Sequence, residues 1–277
     1  MNNRTYKVNE DFFNKWSHDM AYILGFITAD GSVMFDSYTL NIEINKKDIE
    51  VLTFIKRKLR SDHNIKTKDN KSRLRIHSKK IIESLKQYNI VQNKTGKEKI
   101  NFSIPSKYRG DYLRGVFDGD GWIYKRRNGI EGGICSASKK FLEDINNICK
   151  NLGKIRTRID KRGDRKPLYE LDFYGNKKML KLRKLIYTTN QFALKRKYDI
   201  FFSDFYIKSK RLWTKKEMAF LLMHKNKPHE WIAKKLNRSK KSVNIKSFRL
   251  RCQQEKGERS EDLSPNSSIG SGSTQAL

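Results

Sequence analysis

The sequence predicts an α+β protein of two related halves followed by a small all-α domain, and three observations carry that expectation. One short pattern occurs twice, as Tyr22-Ile-Leu-Gly25-Phe-Ile-Thr-Ala29-Asp30-Gly31 and, 90 positions later, as Tyr112-Leu-Arg-Gly115-Val-Phe-Asp-Gly119-Asp120-Gly121. The same order of strand-like and helix-like periodicities follows each copy. Beyond residue 206 only helical signals remain. The expected units are therefore residues 1–102 and 103–206 as two half-domains, 207–252 as a three-helix domain, and 253–277 as a disordered tail rich in Glu, Ser, Gly and Pro.

Each element has a local reason. Residues 17–30 read as a helix capped by Ser17, with Gly31 expected in the left-handed conformation that closes a helix and satisfies its orphan carbonyls. Ser32–Phe35 and Leu40–Ile44 alternate like strands buried on one side. Ile49, Leu52, Ile55 and Leu59 then recur at helical spacing over 48–60. Strands are expected at Ile65–Lys68 and Arg73–Ile76, and a helix over 79–88. The second half repeats the series: strands at Trp122–Tyr124 and Gly133–Cys135, a helical stripe of Leu142, Ile145, Ile148 and Leu152, strands at Ile155–Arg158 and Tyr169–Phe173, and a helix over 176–187. Each half is thus α-β-β-α-β-β-α, with its helices on one sheet face.

The repeated pattern sets an acid where a helix disfavours one, because a carboxylate in the last turn faces the negative end of the helix dipole. Gly25 and Ala29, like Gly115 and Gly119, lie four apart and share a face on which small residues let two helices approach closely. Helices packed on those faces bring Asp30 and Asp120 side by side. Two adjacent carboxylates repel unless one takes up a proton or a cation sits between them. A hard divalent cation with oxygen ligands, Mg²⁺ above all, resolves the conflict. Asp30 and Asp120 are accordingly the expected metal ligands and catalytic acids.

These segments resemble the paired signature helices of the LAGLIDADG homing endonucleases in their single-chain form, Arg114–Trp122 more closely than Leu24–Ser32. The resemblance extends over about the first 205 residues. It implies two half-domains related by a pseudo-twofold axis, forming a saddle on double-stranded DNA, and a monomer that cleaves both strands of a long asymmetric site to leave 3′ overhangs. It also implies Mg²⁺ or Mn²⁺ as cofactor, with Ca²⁺ able to bind without supporting cleavage. Lys94 and Lys197, at matching places after the last helix of each half, look like the family's active-site lysines; Lys46 and Lys139 are candidates for the polar residues that order water near the metals. Two other readings use the same fold: an intron RNA maturase, and a non-catalytic DNA-binding regulator, which would need neither acid.

Charge agrees with a polyanionic partner. Lys and Arg number 61 against 30 acidic residues, a net charge of +31. Since i and i+2 of a strand share a face, Lys66 and Lys68, Arg73 and Arg75, and Arg156 and Arg158 form basic rows suited to phosphates and to base edges; Lys161 and Arg165 add to them. No stretch approaches the roughly 18 apolar residues of a membrane span. Three Cys without Cys-x-x-Cys spacing argue for a reducing compartment and against structural zinc. A chain without a leader is expected in the cytoplasm, at the nucleoid of a bacterial or phage-infected cell, with an organelle as the alternative.

Residues 207–252 carry 15 basic and 2 acidic side chains. Thr214 and Glu217 offer a capping box, Pro228 suits a helix's first turn, and Ser239 caps a last helix bearing Lys240, Lys241, Asn244, Lys246, Arg249 and Arg251. Phe220, Leu221, Trp231, Ile232, Leu236, Val243 and Phe248 are the expected core. The segment looks like a Myb/SANT-type helix-turn-helix module whose last helix enters the major groove.

Overall fold

A computed structural model describes residues 6–100, 102–126, 129–158, 167–188, 191–203 and 213–261, with side chains as far as Cys252. It divides into two compact units, 1–207 and 208–277.

The first unit is α+β and built of two similar halves. Helix α1 (His18–Asp30) opens where Ser17 accepts from the Met20 amide, and leads into β1 (Gly31–Met34) and β2 (Thr39–Asn45). A 3-10 turn over Lys46–Asp48 precedes α2 (Ile49–Lys58), followed by β3 (Ile65–Lys68), β4 (Lys71–His77) and α3 (Lys79–Gln87). The second half repeats the order with α4 (Arg109–Asp120), β5 (Gly121–Arg126), β6 (Gly129–Ser136), α5 (Lys139–Ile148), β7 (Lys154–Arg158), β8 (Leu168–Phe173) and α6 (Asn176–Ile186). Both sheets are antiparallel and four-stranded, in the orders β1-β2-β4-β3 and β5-β6-β8-β7. Strict alternation of exposed and buried residues along β4 explains its legibility: Leu74 and Ile76 enter the core while Arg73, Arg75 and His77 face out.

An additional helix, α7 (Lys195–Phe202), follows α6. The chain entering it reaches back to the first half. Arg196 donates from Nε and Nη2 to the two carboxylate oxygens of Asp48 at 2.7 and 2.8 Å, Glu50 accepts from the Lys195 amide at 2.8 Å, and Phe192 stacks on Phe54 with ring centroids 4.1 Å apart. The segment after α3 does the reciprocal thing, since Asp144 of α5 accepts from the Ile100 amide and Ser138 donates to the Glu98 carbonyl.

The expectation about Gly31 is corrected, and its counterpart Gly121 behaves in the same way. Gly31 and Gly121 are not left-handed; both are extended, at φ −78° and −83°, and begin strands. Glycine is needed there because a Cβ would lie 2.7 Å from the Ile27 carbonyl oxygen or 2.3 Å from that of Phe117. Helix passes directly to strand with no capping turn between them.

The second unit contains α8 (Lys215–Met223), α9 (His229–Lys235) and α10 (Lys240–Glu261). Thr214 and Glu217 form a reciprocal capping box. Leu221, Ile232, Ala233 and Val243 make the core, with Trp213, Phe220, Leu236 and Leu250 packed against it. Trp231 and Phe248, expected inside, are exposed. Helix α10 continues to Glu261, past the boundary expected at 252, since Gln253-Gln-Glu-Lys256 is composed of good helix formers. Among the described residues no helix is long and apolar enough to cross a membrane.

Candidate nuclease site and nucleic-acid interface

The site is made by the contact of α1 with α4. Tyr112 and Val116 stand against Gly25, and Tyr22 and Phe26 against Gly115, so the two helices meet reciprocally, as a twofold axis requires. A Cβ at Gly25 would fall 2.1 Å from the Tyr112 carbonyl oxygen, and one at Gly115 2.0 Å from that of Tyr22. Near the C-terminal ends, Gly119 faces Ala29, and a Cβ there would also lie 3.2 Å from Asp30 Oδ2. The four small residues therefore bring Asp30 to the flank of α4, in the electrostatic field of Asp120.

Both acids are held away from their ordinary ionisation. Burial first, and the charge of Asp30 second, push the Asp120 carboxyl up to about 7, with Lys94 pulling the other way. Burial likewise raises Asp30, against Lys94 and Lys197. A divalent cation would relieve both. The donors present fit one: hard carboxylate oxygens, at helix ends where carbonyl oxygens are also directed. Among the described residues no group of three or more His, Cys, Asp or Glu converges, so Asp30 and Asp120 would leave most coordination positions of a bound ion to water and phosphate oxygens.

Lys94 and Lys197 reach this region from matching places. Lys94 Nζ donates to the carbonyls of Thr28, at 2.7 Å, and Ala29, while Lys197 Nζ donates to those of Phe117 at 2.7 Å, Asp118 at 2.8 Å and Gly121. Each lysine thus caps the C-terminal end of a signature helix and offsets the dipole that the acids oppose. Burial lowers both, Lys197 to about 8.

Sequence reasoning missed a buried polar network beside the acids. Tyr22 Oη donates to Asp118 Oδ2 at 2.9 Å, and its counterpart Tyr112 Oη donates to Thr28 Oγ1 at 3.2 Å. The Leu194 amide also donates to Asp118. Arg114, only 2% exposed, donates to Asp111, Gln191 and the Ile186 and Phe192 carbonyls, and His18 completes Asp111 at 2.7 Å. The available signal was the pair of tyrosines in register, one turn before each small-residue face. A cavity of about 280 Å³ beside Asp30 is lined by Asn45, Asp48, Asp118 and Arg196, among others.

Lys46 and Lys139 make no hydrogen bond to Asp30 or Asp120. Lys46 is exposed in the 3-10 turn, and Lys139 pairs with Glu143 on the surface of α5. Asn41, Glu43 and Asn45 share the open side of β2, and Asn45 lines the cavity beside Asp30.

The basic rows lie on the sheets' open faces. Lys66 is opposite Arg73, and Lys68 opposite Lys71. Glu43 is shared by Lys71 and Arg73, leaving this face strongly cationic. On the second sheet Arg156 pairs with the buried Asp172 at 2.6 Å and Arg158 is exposed. Lys161 and Arg165 lie outside the described residues. In the C-terminal unit Lys241, Asn244 and Arg249 are exposed on α10, Lys246 is half-buried, and Lys240 pairs with Glu230.

Known proteins offer the following likenesses. Residues 107–187 match the LAGLIDADG-like domain. No curated protein matches the sequence. Among solved structures, mesophilic variants of the homing endonuclease I-DmoI share 17% identity over 66% of this chain and 98% of that one, with a TM-score of 0.45. Meganuclease I-SmaMI bound to uncleavable DNA shares 16% over 74% and 92%, at 0.46. Full-length DUF199/WhiA from Thermatoga maritima shares 15% over 90% and 96%, at 0.43. At these identities the likeness concerns the fold. The match to the LAGLIDADG-like domain spans α4 to α6, the second half of the first unit.

Proposed function

We propose that this protein is a double-motif homing endonuclease that cuts both strands of a long, asymmetric DNA site, using divalent metal held between Asp30 and Asp120. The observation that supports it most is the close contact of α1 and α4, which sets two mutually repelling carboxylates, one of them half-buried, at the ends of twinned helices. A bound Mg²⁺ or Mn²⁺ would supply an activated water and stabilise charge on the phosphate oxygens. The chain's own residues do the rest. Asp30 and Asp120 would hold the ions, Lys94 and Lys197 fix the helix ends that carry the acids, and the exposed lysines and arginines of β3, β4 and β7 would grip phosphates on either side.

The two halves differ where they would meet DNA. Trp122 and Tyr124 stand on β5 where Ser32 and Met34 stand on β1. An asymmetric target, bound by a monomer, follows from that inequality. The C-terminal unit is read as a helix-turn-helix module that adds contacts beyond the saddle, with α10 entering the major groove. Cleavage across the minor groove with 3′ overhangs is the geometry expected of such a nuclease. The test is an unbiased selection of cleaved molecules from a randomised duplex library with Mg²⁺. Recovery of one long, non-palindromic site with staggered ends is the expected outcome; binding without any cleavage in Mg²⁺ or Mn²⁺ would replace this reading with that of a non-catalytic DNA-binding regulator.

A further inference from the structure

Of the exposed apolar side chains of the C-terminal unit, two share one face of α10. Phe248 is 63% exposed and Ile245 is 44% exposed, although both are large and apolar. They lie on the side of α10 opposite Val243 and Leu250, which pack into the unit's core. At about 100° per residue, positions 241, 244, 245 and 248 fall on one outward arc. Two adjacent apolar side chains held out on one arc, with cationic residues beside them, suit a ligand that is both anionic and, in places, apolar.

The charge decides what that ligand is. Lys241, Arg249 and Arg251 are exposed beside the apolar pair, and no acidic residue occurs between Ser239 and Cys252. A major groove matches both features at once: phosphates along its edges, and on its floor a C5-methyl group at every thymine. Cytosine has no such methyl and presents an amino donor instead of a carbonyl acceptor, a polar edge that an apolar side chain cannot satisfy. Asn244, exposed on the same arc, has the amide geometry that pairs with adenine N6 and N7.

We propose that the outward face of α10 reads T·A base pairs, with Phe248 and Ile245 packed on thymine methyl groups and Asn244 paired to adenine. This inference rests on the reading of α10 as a helix that enters DNA. The basic residues supply affinity on any sequence, and the apolar pair supplies preference.

The test uses the full chain and two alternating duplexes, one of adenine and thymine, the other with uracil in place of every thymine. The two differ only in the methyl group. Wild-type protein is expected to bind the thymine duplex about fivefold more tightly. Phe248→Ala combined with Ile245→Ala is expected to bind both duplexes alike, with an unchanged melting temperature because both side chains are exposed. Lys241→Ala with Arg249→Ala should weaken binding to both duplexes equally, which reports separately on whether α10 touches DNA. If that pair of charge substitutions changes nothing, the underlying reading of α10 fails. If it weakens binding but the wild type does not distinguish thymine from uracil, or the apolar double variant still does, the methyl readout is overturned. Equal affinity accompanied by a self-association that Phe248→Ala abolishes would also overturn it, and would assign the face to a second copy of the chain.

Discussion

Single atoms decide the helix contact. At Gly115 a methyl group would sit 2.0 Å from the Tyr22 carbonyl oxygen, a backbone atom that can yield only if the helices separate. Gly115→Ala should therefore destabilise the first unit by about 3 kcal/mol or more, read as a drop in the denaturant midpoint. Gly175, with nothing near it but a φ of +84°, loses stability through backbone strain alone, and Gly175→Ala should cost less, about 1 kcal/mol. Lys197 is the second residue whose loss should be costly. Its ammonium group satisfies several carbonyls in a buried site, so Lys197→Met should lower stability by about 3 kcal/mol in the same experiment. An unchanged midpoint would mean that the lysine does not cap α4 in solution.

Among elements, α8 is held by its first turn and by a residue that faces it from the turn between α9 and α10. Arg238, first, and the Thr214 amide bring the Glu217 carboxyl down to about 2 from an ordinary 4.5. The folded value is depressed, so this stabilisation is complete above about 4.5 and is lost as the pH falls through about 2. Melting of the C-terminal unit should lose stability across that window, and Glu217→Gln should remove that part of the pH dependence. The capping box was legible in the sequence because it is local, as were the strands and helices with one buried face. Helix α7 was not legible, because Lys197 occupies a core-facing position where periodicity looks for an apolar residue. The Tyr22–Asp118 and His18–Asp111 bonds span 96 and 93 residues, separations at which no local pattern exists. Phe248 was misassigned because apolar residues occur on both sides of α10, and spacing alone does not say which side meets the core. The acid pair was legible, because small residues four apart predict both the contact and what it brings together.

For the whole molecule, a net charge of +31 has to be partitioned between two compact units. If both engage DNA, deleting residues 208–277 should weaken binding and flatten the slope of log affinity against log salt, since each neutralised phosphate contributes about 0.9 to that slope. An identical slope would mean that the C-terminal unit makes no phosphate contacts. The nuclease reading rests on a narrower point, the cooperation of one acid from each half. It is tested most directly by measuring, on the selected target with Mg²⁺, both DNA binding and double-strand cleavage by Asp30→Asn and Asp120→Asn. The account predicts that each substitution abolishes double-strand cleavage and leaves binding intact; undiminished cleavage by both variants would contradict it.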